Sequence, residues 1–207
     1  MKQNETVVTI KAPDIRTIAF NIKGTAPFVQ ARFSYKAMQK MMEGMQDPTS
    51  KSKRTRVARD FDQDCRDAMH ISTEGWVGIP ASAFRAAIVS ACRLVKFKMT
   101  IAKLSIFVVA DGFDSVDGTP LVKLFGKHER LDMYVRNQTG VCDIRVRPMW
   151  REWTAVVKVR YDADQFTESD VANLMNRVGQ QVGIGEGRPD SKESTGLGYG
   201  TFEIVNA

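Results

Sequence analysis

The chain has 207 residues, 43% hydrophobic, 26% charged and 9% aromatic, and a formal net charge of +6. That is enough for one large domain with a real core. No run of 18 apolar residues occurs, so no membrane-spanning helix is expected. Met1-Lys2-Gln3-Asn4-Glu5 has no apolar stretch behind it and does not read as a secretory signal. Cys65, Cys92 and Cys142 are odd in number and widely spaced, which points to reduced thiols, a cytoplasmic setting and no zinc site. The positive charge is clustered. Residues 75–110 carry Arg85, Arg93, Lys96, Lys98 and Lys103 and no acid, and residues 48–59 carry Lys51, Lys53, Arg54, Arg56 and Arg59 and no acid. Such clusters suit a polyanion-binding surface, and they also suit a plain solvated face.

In chain order, Ile15 to Lys23 alternate apolar with polar and predict a strand with Ile18, Phe20 and Ile22 on one face; Gly24 and Pro27 end it. Residues 35–43 predict a short methionine-rich helix. Residues 44–56, polar and basic around Pro48, predict an exposed, mobile loop. Val57, Phe61, Cys65 and Ala68 recur at helical spacing and predict a helix over 57–69. Gly78-Ile79-Pro80-Ala81-Ser82 opens the best helix, with Ser82 as its N-cap and Phe84, Ala87, Ile88, Ala91 and Val95 as its buried stripe. At ~100° per residue, Ser82, Arg85, Val89, Arg93 and Lys96 gather on another side.

Leu104 to Ala110 predicts a strand, joined through an Asp117-Gly118 turn to Leu121–Phe125 as a hairpin. Val141–Arg147 and Thr154–Tyr161 both alternate. If they pair, Arg145, Arg147, Lys158 and Arg160 share one basic sheet face. Thr167 is placed to cap the last helix, with Glu168 and Asp170 in its first turn and Val171, Leu174, Met175 and Val178 buried. Gly183-Ile184-Gly185-Glu186-Gly187-Arg188-Pro189 and Gly196-Leu197-Gly198-Tyr199-Gly200 follow, ahead of a strand-patterned Thr201 to Val205. Glycine reaches φ > 0 and admits a second backbone closely. A loop of this kind can offer N–H groups to phosphate, although turn-rich connections share its composition.

Three stretches resemble segments of the RAMP superfamily, the proteins of CRISPR effector complexes. The Gly183–Gly200 loop ahead of Phe202 resembles that family's glycine-rich loop. Ile79-Pro80-Ala81-Ser82-Ala83-Phe84-Arg85-Ala86-Ala87 resembles its I-P-G-S-S-L-[KR]-G-A helix start, with Ala81 where glycine is usual and Ala86 where it is frequent. The first strand with Gly24-Thr25-Ala26-Pro27-Phe28 resembles the family's opening strand and loop.

The resemblance implies an α+β, ferredoxin-like (RRM-type) fold, with an antiparallel sheet carrying helices on one face, as a single domain over 1–207. It implies a β-hairpin thumb within residues 111–150 and a mobile basic loop, 44–56, over the nucleic acid. It further implies single-stranded RNA binding along the sheet, the basic helix and the glycine loop, with subunits polymerising along the strand. The chain is short for a backbone subunit, and its glycine loop carries a long polar insert, Pro189 to Thr195. A stand-alone, phage-type relative would account for both departures.

The residues expected to hold nucleic acid are Ser82, Arg85, Arg93 and Lys96 on the helix, Lys53, Arg54 and Arg56 in the loop, and Gly185, Gly187 and Arg188. Phe33 and Trp76 are candidates to stack bases, or equally to pack in the core. Trp150 and Trp153, flanking Arg151, read as stacking or subunit-contact residues, with core packing as the alternative for each. Acid–base candidates are confined to His70, His128 and, in the basic loop, Asp47; each also reads as an ordinary helix-end, surface or turn residue. No metal-ligand spacing or phosphate-binding motif stands out, so no cofactor and no metal are expected. The expected function is non-catalytic binding of single-stranded nucleic acid, RNA preferred, as a homo-oligomer or with related subunits, away from membranes. The alternatives are an endoribonuclease of the same fold and a structural protein that uses the fold for protein contacts.

Overall fold

The computed structural model describes residues 10–46, 58–136, 140–192 and 196–205. The alternation of Ile15–Gly24 forms β1, whose Phe20 and Ile22 are buried. β2 (Phe28–Val29), α1 (Tyr35–Gln46) and α2 (Phe61–Asp67) follow. The middle of the chain gives β3 (Gly78–Pro80), α3 (Ala81–Ala91), α4 (Met99–Ser105), β4 (Ile106–Val109), β5 (Gly112–Phe113), β6 (Pro120–Phe125), β7 (His128–Arg136) and β8 (Cys142–Trp150). The C-terminal part is β9 (Thr154–Asp162), α5 (Glu168–Arg177), a π-helical turn (Val178–Val182) and β10 (Phe202–Ile204).

β10, β1 and β9 lie side by side, all antiparallel. Along the far edge of β9 run β4, against Lys158–Tyr161, and β6, against Thr154 and Ala155; β6 also pairs with β3 and β5. A separate small sheet has the order β2–β8–β7. The molecule is thus mixed α+β with antiparallel sheets. Across the main sheet Phe20 faces Val157 and Ile22 faces Ala155. These residues join Ile106 and Phe202 in one core with Phe84 and Ile88 of α3 and Val171 and Met175 of α5. Among the described residues, no helix is long and apolar enough to cross a membrane.

Several expectations need correction. Ser82 is not the N-cap of α3: Pro80 holds that position, and Ser82 is exposed within the first turn. Pro80 still pairs with Leu121 in the sheet, so its fixed φ of −52° carries the chain from strand to helix without a side-chain cap. α3 stops at Ala91, where the Cys92 carbonyl accepts from the Phe97 N–H and Phe97 packs on Phe166. Val95 is therefore exposed, while Val89, expected beside the cations, is buried. Leu104 belongs to α4, and the strand begins at Ile106. The Asp117-Gly118 turn joins β5, not β4, to β6.

β8 and β9 do not pair. β8 folds back on β7 as a hairpin, a local closure that leaves β9 to β1. Arg145 and Arg147 thus lie in a different sheet from Lys158 and Arg160. Within the expected thumb, residues 112–113 and 120–125 belong to the main sheet, and the separate hairpin is His128–Trp150. Trp150 and Trp153 are core residues, 1% and 2% exposed, and do not offer stacking surfaces.

Candidate nucleic-acid interface

The glycine loop is pinned by its own backbone. Gly200 donates its N–H to Pro27 O at 2.8 Å, and its carbonyl accepts from Ile184 N at 3.1 Å. A Cβ at Gly200, where φ is +70°, would lie 1.8 Å from the Ile184 carbonyl oxygen; only glycine lets the two arms of the loop meet. Gly187 O accepts from both Leu197 N and Tyr199 N, and Val29 O accepts from Glu186 N. Among the described residues, the N–H groups of Gly185 and Gly187 donate to none.

Between this loop and α3 runs a groove of about 680 Å³. Its α3 wall is built from the small residues Ala83, Ala86, Ala87 and Ser90, and Arg93, Arg188 and Lys192 also line it. Small side chains leave the space, and the cations set its sign. Arg93 Nη2 donates to both oxygens of Asp190, at 2.7 and 2.9 Å, and Ser90 Oγ donates to the same carboxylate. The Ser90 hydroxyl and the Arg93 guanidinium hold the Asp190 carboxyl below the ordinary aspartate range, against the opposing effect of burial. Arg188 donates to Gly185 O at 3.1 Å.

Arg93, Arg188 and Gly185 therefore meet in one groove, and Gly187 lies in the same loop. The other expected contacts do not join them. Arg85 turns to the opposite side of α3, where it donates to the carbonyls of Lys103 and Ile106 and closes the C-terminal end of α4. Ser82 is exposed at the start of α3 and Lys96 is exposed past its end. Lys53, Arg54, Arg56 and Asp47 lie outside the described residues.

The sheet face opposite the helices is open. Lys23 of β1 and Lys158 and Arg160 of β9 are exposed there. The guanidiniums of Arg160 and Arg85 lie 5.2 and 4.7 Å from the centre of the Phe107 ring, and the Lys123 ammonium lies 5.5 Å from that of Phe125. Neither Phe107 nor Phe125 is marked by its neighbours in sequence as a stacking ring; their placement on the open face depends on how β4 and β6 register against β9. Phe33 is 63% exposed. Trp76 is half-buried against Gly78 and Gly112, and its indole N–H donates to Glu74.

A second constellation gathers around His70. Its Nδ1 lies 2.7 Å from the fully buried Asp114 carboxylate, and Arg32 Nη2 lies 3.3 Å from Asp114 and 3.5 Å from Asp117. Buried Gln30 accepts from the His70 N–H and donates to Gly78 O, which fixes the histidine backbone. His70, Asp114 and Asp117 are close enough together to share a cation, but the Arg32 guanidinium already supplies positive charge between the carboxylates. The sequence suggested only His70, because Arg32 and Asp114 are remote in the chain. His128 opens β7, exposed, with its ring 5.6 Å from that of Trp150.

No protein-family model matches the chain, and no curated protein matches it.

Proposed function

We propose that this chain is a ferredoxin-like, RAMP-type protein that binds single-stranded nucleic acid, RNA preferred, without cleaving it, and that copies assemble along the strand. The fold part of this reading is supported by the order β1–α3–β4–β9–α5–β10, a βαββαβ succession with spatial strand order β10–β1–β9–β4. The observation that carries the binding part is the groove in which Arg93, Arg188 and Lys192 face a glycine loop whose Gly185 and Gly187 N–H groups donate to none of the described residues. Guanidinium, ammonium and backbone N–H are the donors that hold phosphodiesters, and they read little sequence. The open sheet face adds cations beside aromatic rings, the pairing on which bases stack.

The test is fluorescence anisotropy of a labelled single strand of about 30 nucleotides, as RNA and as DNA, over a range of salt. Binding that weakens steeply with salt and varies little with sequence is expected. Binding unchanged at high salt would refute it. A second reading, RNA cleavage, has one observation in its favour: the His70–Asp114 pair, which leaves Nε2 for proton transfer. It predicts cleavage that His70→Ala abolishes. RNA left intact by the wild type after long incubation would eliminate it.

A further inference from the structure

Asp190 is bonded as a phosphate would be. It belongs to the polar insert of the glycine loop, yet both its carboxylate oxygens accept from Arg93 Nη2, and Ser90 Oγ donates to one of them. A guanidinium and a hydroxyl converging on two oxygens of one anion are the donor set that holds a phosphoryl group. We propose that Ser90 and Arg93, with Arg188 beside them, form a phosphodiester subsite that the protein's own Asp190 occupies until a nucleic-acid strand displaces it. This rests on the nucleic-acid reading above and adds to it a named subsite and an internal competitor.

The contact is suited to exchange. The side chains of Arg93 and Asp190 are 56% and 34% exposed, so water screens the pair and its hold is weak. The Arg147–Glu186 pair, earlier in the same loop, is 22% and 23% exposed, with N and O 2.5 Å apart, and works as a fixed strut. A phosphodiester has a further advantage over the carboxylate: neutralising it releases counterions from the strand, which displacement of Asp190 does not reverse. Arg188 and Lys192 line the same groove and add attraction for the incoming anion.

The experiment is a double-mutant cycle read by anisotropy with the labelled single strand. Asp190→Asn should tighten binding by about fivefold, the most that a half-exposed ion pair withholds. In an Arg93→Met background the same substitution should change nothing, because the subsite is gone. Unchanged or weaker binding for Asp190→Asn in the Arg93 protein overturns the proposal. So does an equal gain in both backgrounds, which would reveal a long-range charge effect. Asp190→Ser, uncharged but still able to bond Ser90, repeats the cycle if the asparagine variant melts early. Wild-type protein that binds no strand at all sinks the nucleic-acid reading itself, an outcome distinct from binding that ignores Asp190.

Discussion

Gly200→Ala should destabilise this protein far more than Gly198→Ala, although the two glycines share a left-handed backbone, φ +70° and +77°. An alanine at either position takes on the left-handed penalty, about 1–2 kcal/mol. At Gly198 no described residue lies within 4 Å of the added Cβ, so the cost stops there. At Gly200 the Cβ would sit 1.8 Å from the Ile184 carbonyl oxygen, which belongs to backbone and cannot swing away. Separating the arms breaks the Ile184–Gly200 and Gly200–Pro27 hydrogen bonds, each worth about 1 kcal/mol. The sum is about 3–4 kcal/mol. At ~2–4 °C per kcal/mol for a domain of this size, the melting temperature should fall by roughly 10 °C, against roughly 4 °C for Gly198→Ala. Thermal melts followed by circular dichroism measure both. Equal shifts would refute the claim that close backbone approach, rather than φ alone, demands glycine at 200.

Trp153→Ala should cost about 3–5 kcal/mol in urea unfolding, because it empties a buried site against Phe28 and Phe202 and leaves the Ala26 carbonyl without its indole donor; a near-neutral result would return Trp153 to the surface. Asp114→Asn should cost about 3 kcal/mol by removing the buried counter-charge of Arg32, and equilibrium unfolding would detect it. Thr167→Ala should cost about 1 kcal/mol at neutral pH by opening the capping box of α5. The Thr167 hydroxyl and N–H hold the Asp170 carboxyl below the ordinary aspartate range. That stabilisation is present above the unfolded-state pKa and is lost as pH falls through the folded one, so the gap between wild type and Thr167→Ala should narrow in acid. A gap that widened in acid melts would contradict the assigned bond.

Where local chemistry decides structure, the sequence was readable. The alternation of Ile18, Phe20 and Ile22 put β1 in the sheet, and Thr167 with Asp170 marked the start of α5. Choices between distant partners were not readable. The strand at 142–150 could pair with its successor or its predecessor, and only the closure of the β7–β8 hairpin settles which. The helical wheel grouped Arg85 with Arg93, but a wheel does not know that α4 will end beside Arg85 and recruit its guanidinium to free carbonyls. The charged turn that separates Trp150 and Trp153 suits exposed and buried rings alike, and each indole turns inward from it. At the candidate site, the glycine loop and Arg93 were legible as separate pieces. The acid that joins them, Asp190, carried no signal, since a lone aspartate in a polar insert looks like any turn residue.

The most direct test of the account is the salt dependence of single-strand binding by the wild type and by an Arg93→Met, Arg188→Met variant. For single strands the log–log slope is about −0.7 per phosphate contacted, so losing both arginines should flatten it by roughly 1.4 and weaken binding to RNA of any sequence. A wild type that ignores the strand, or a slope that survives the loss of both groove arginines, would contradict the account.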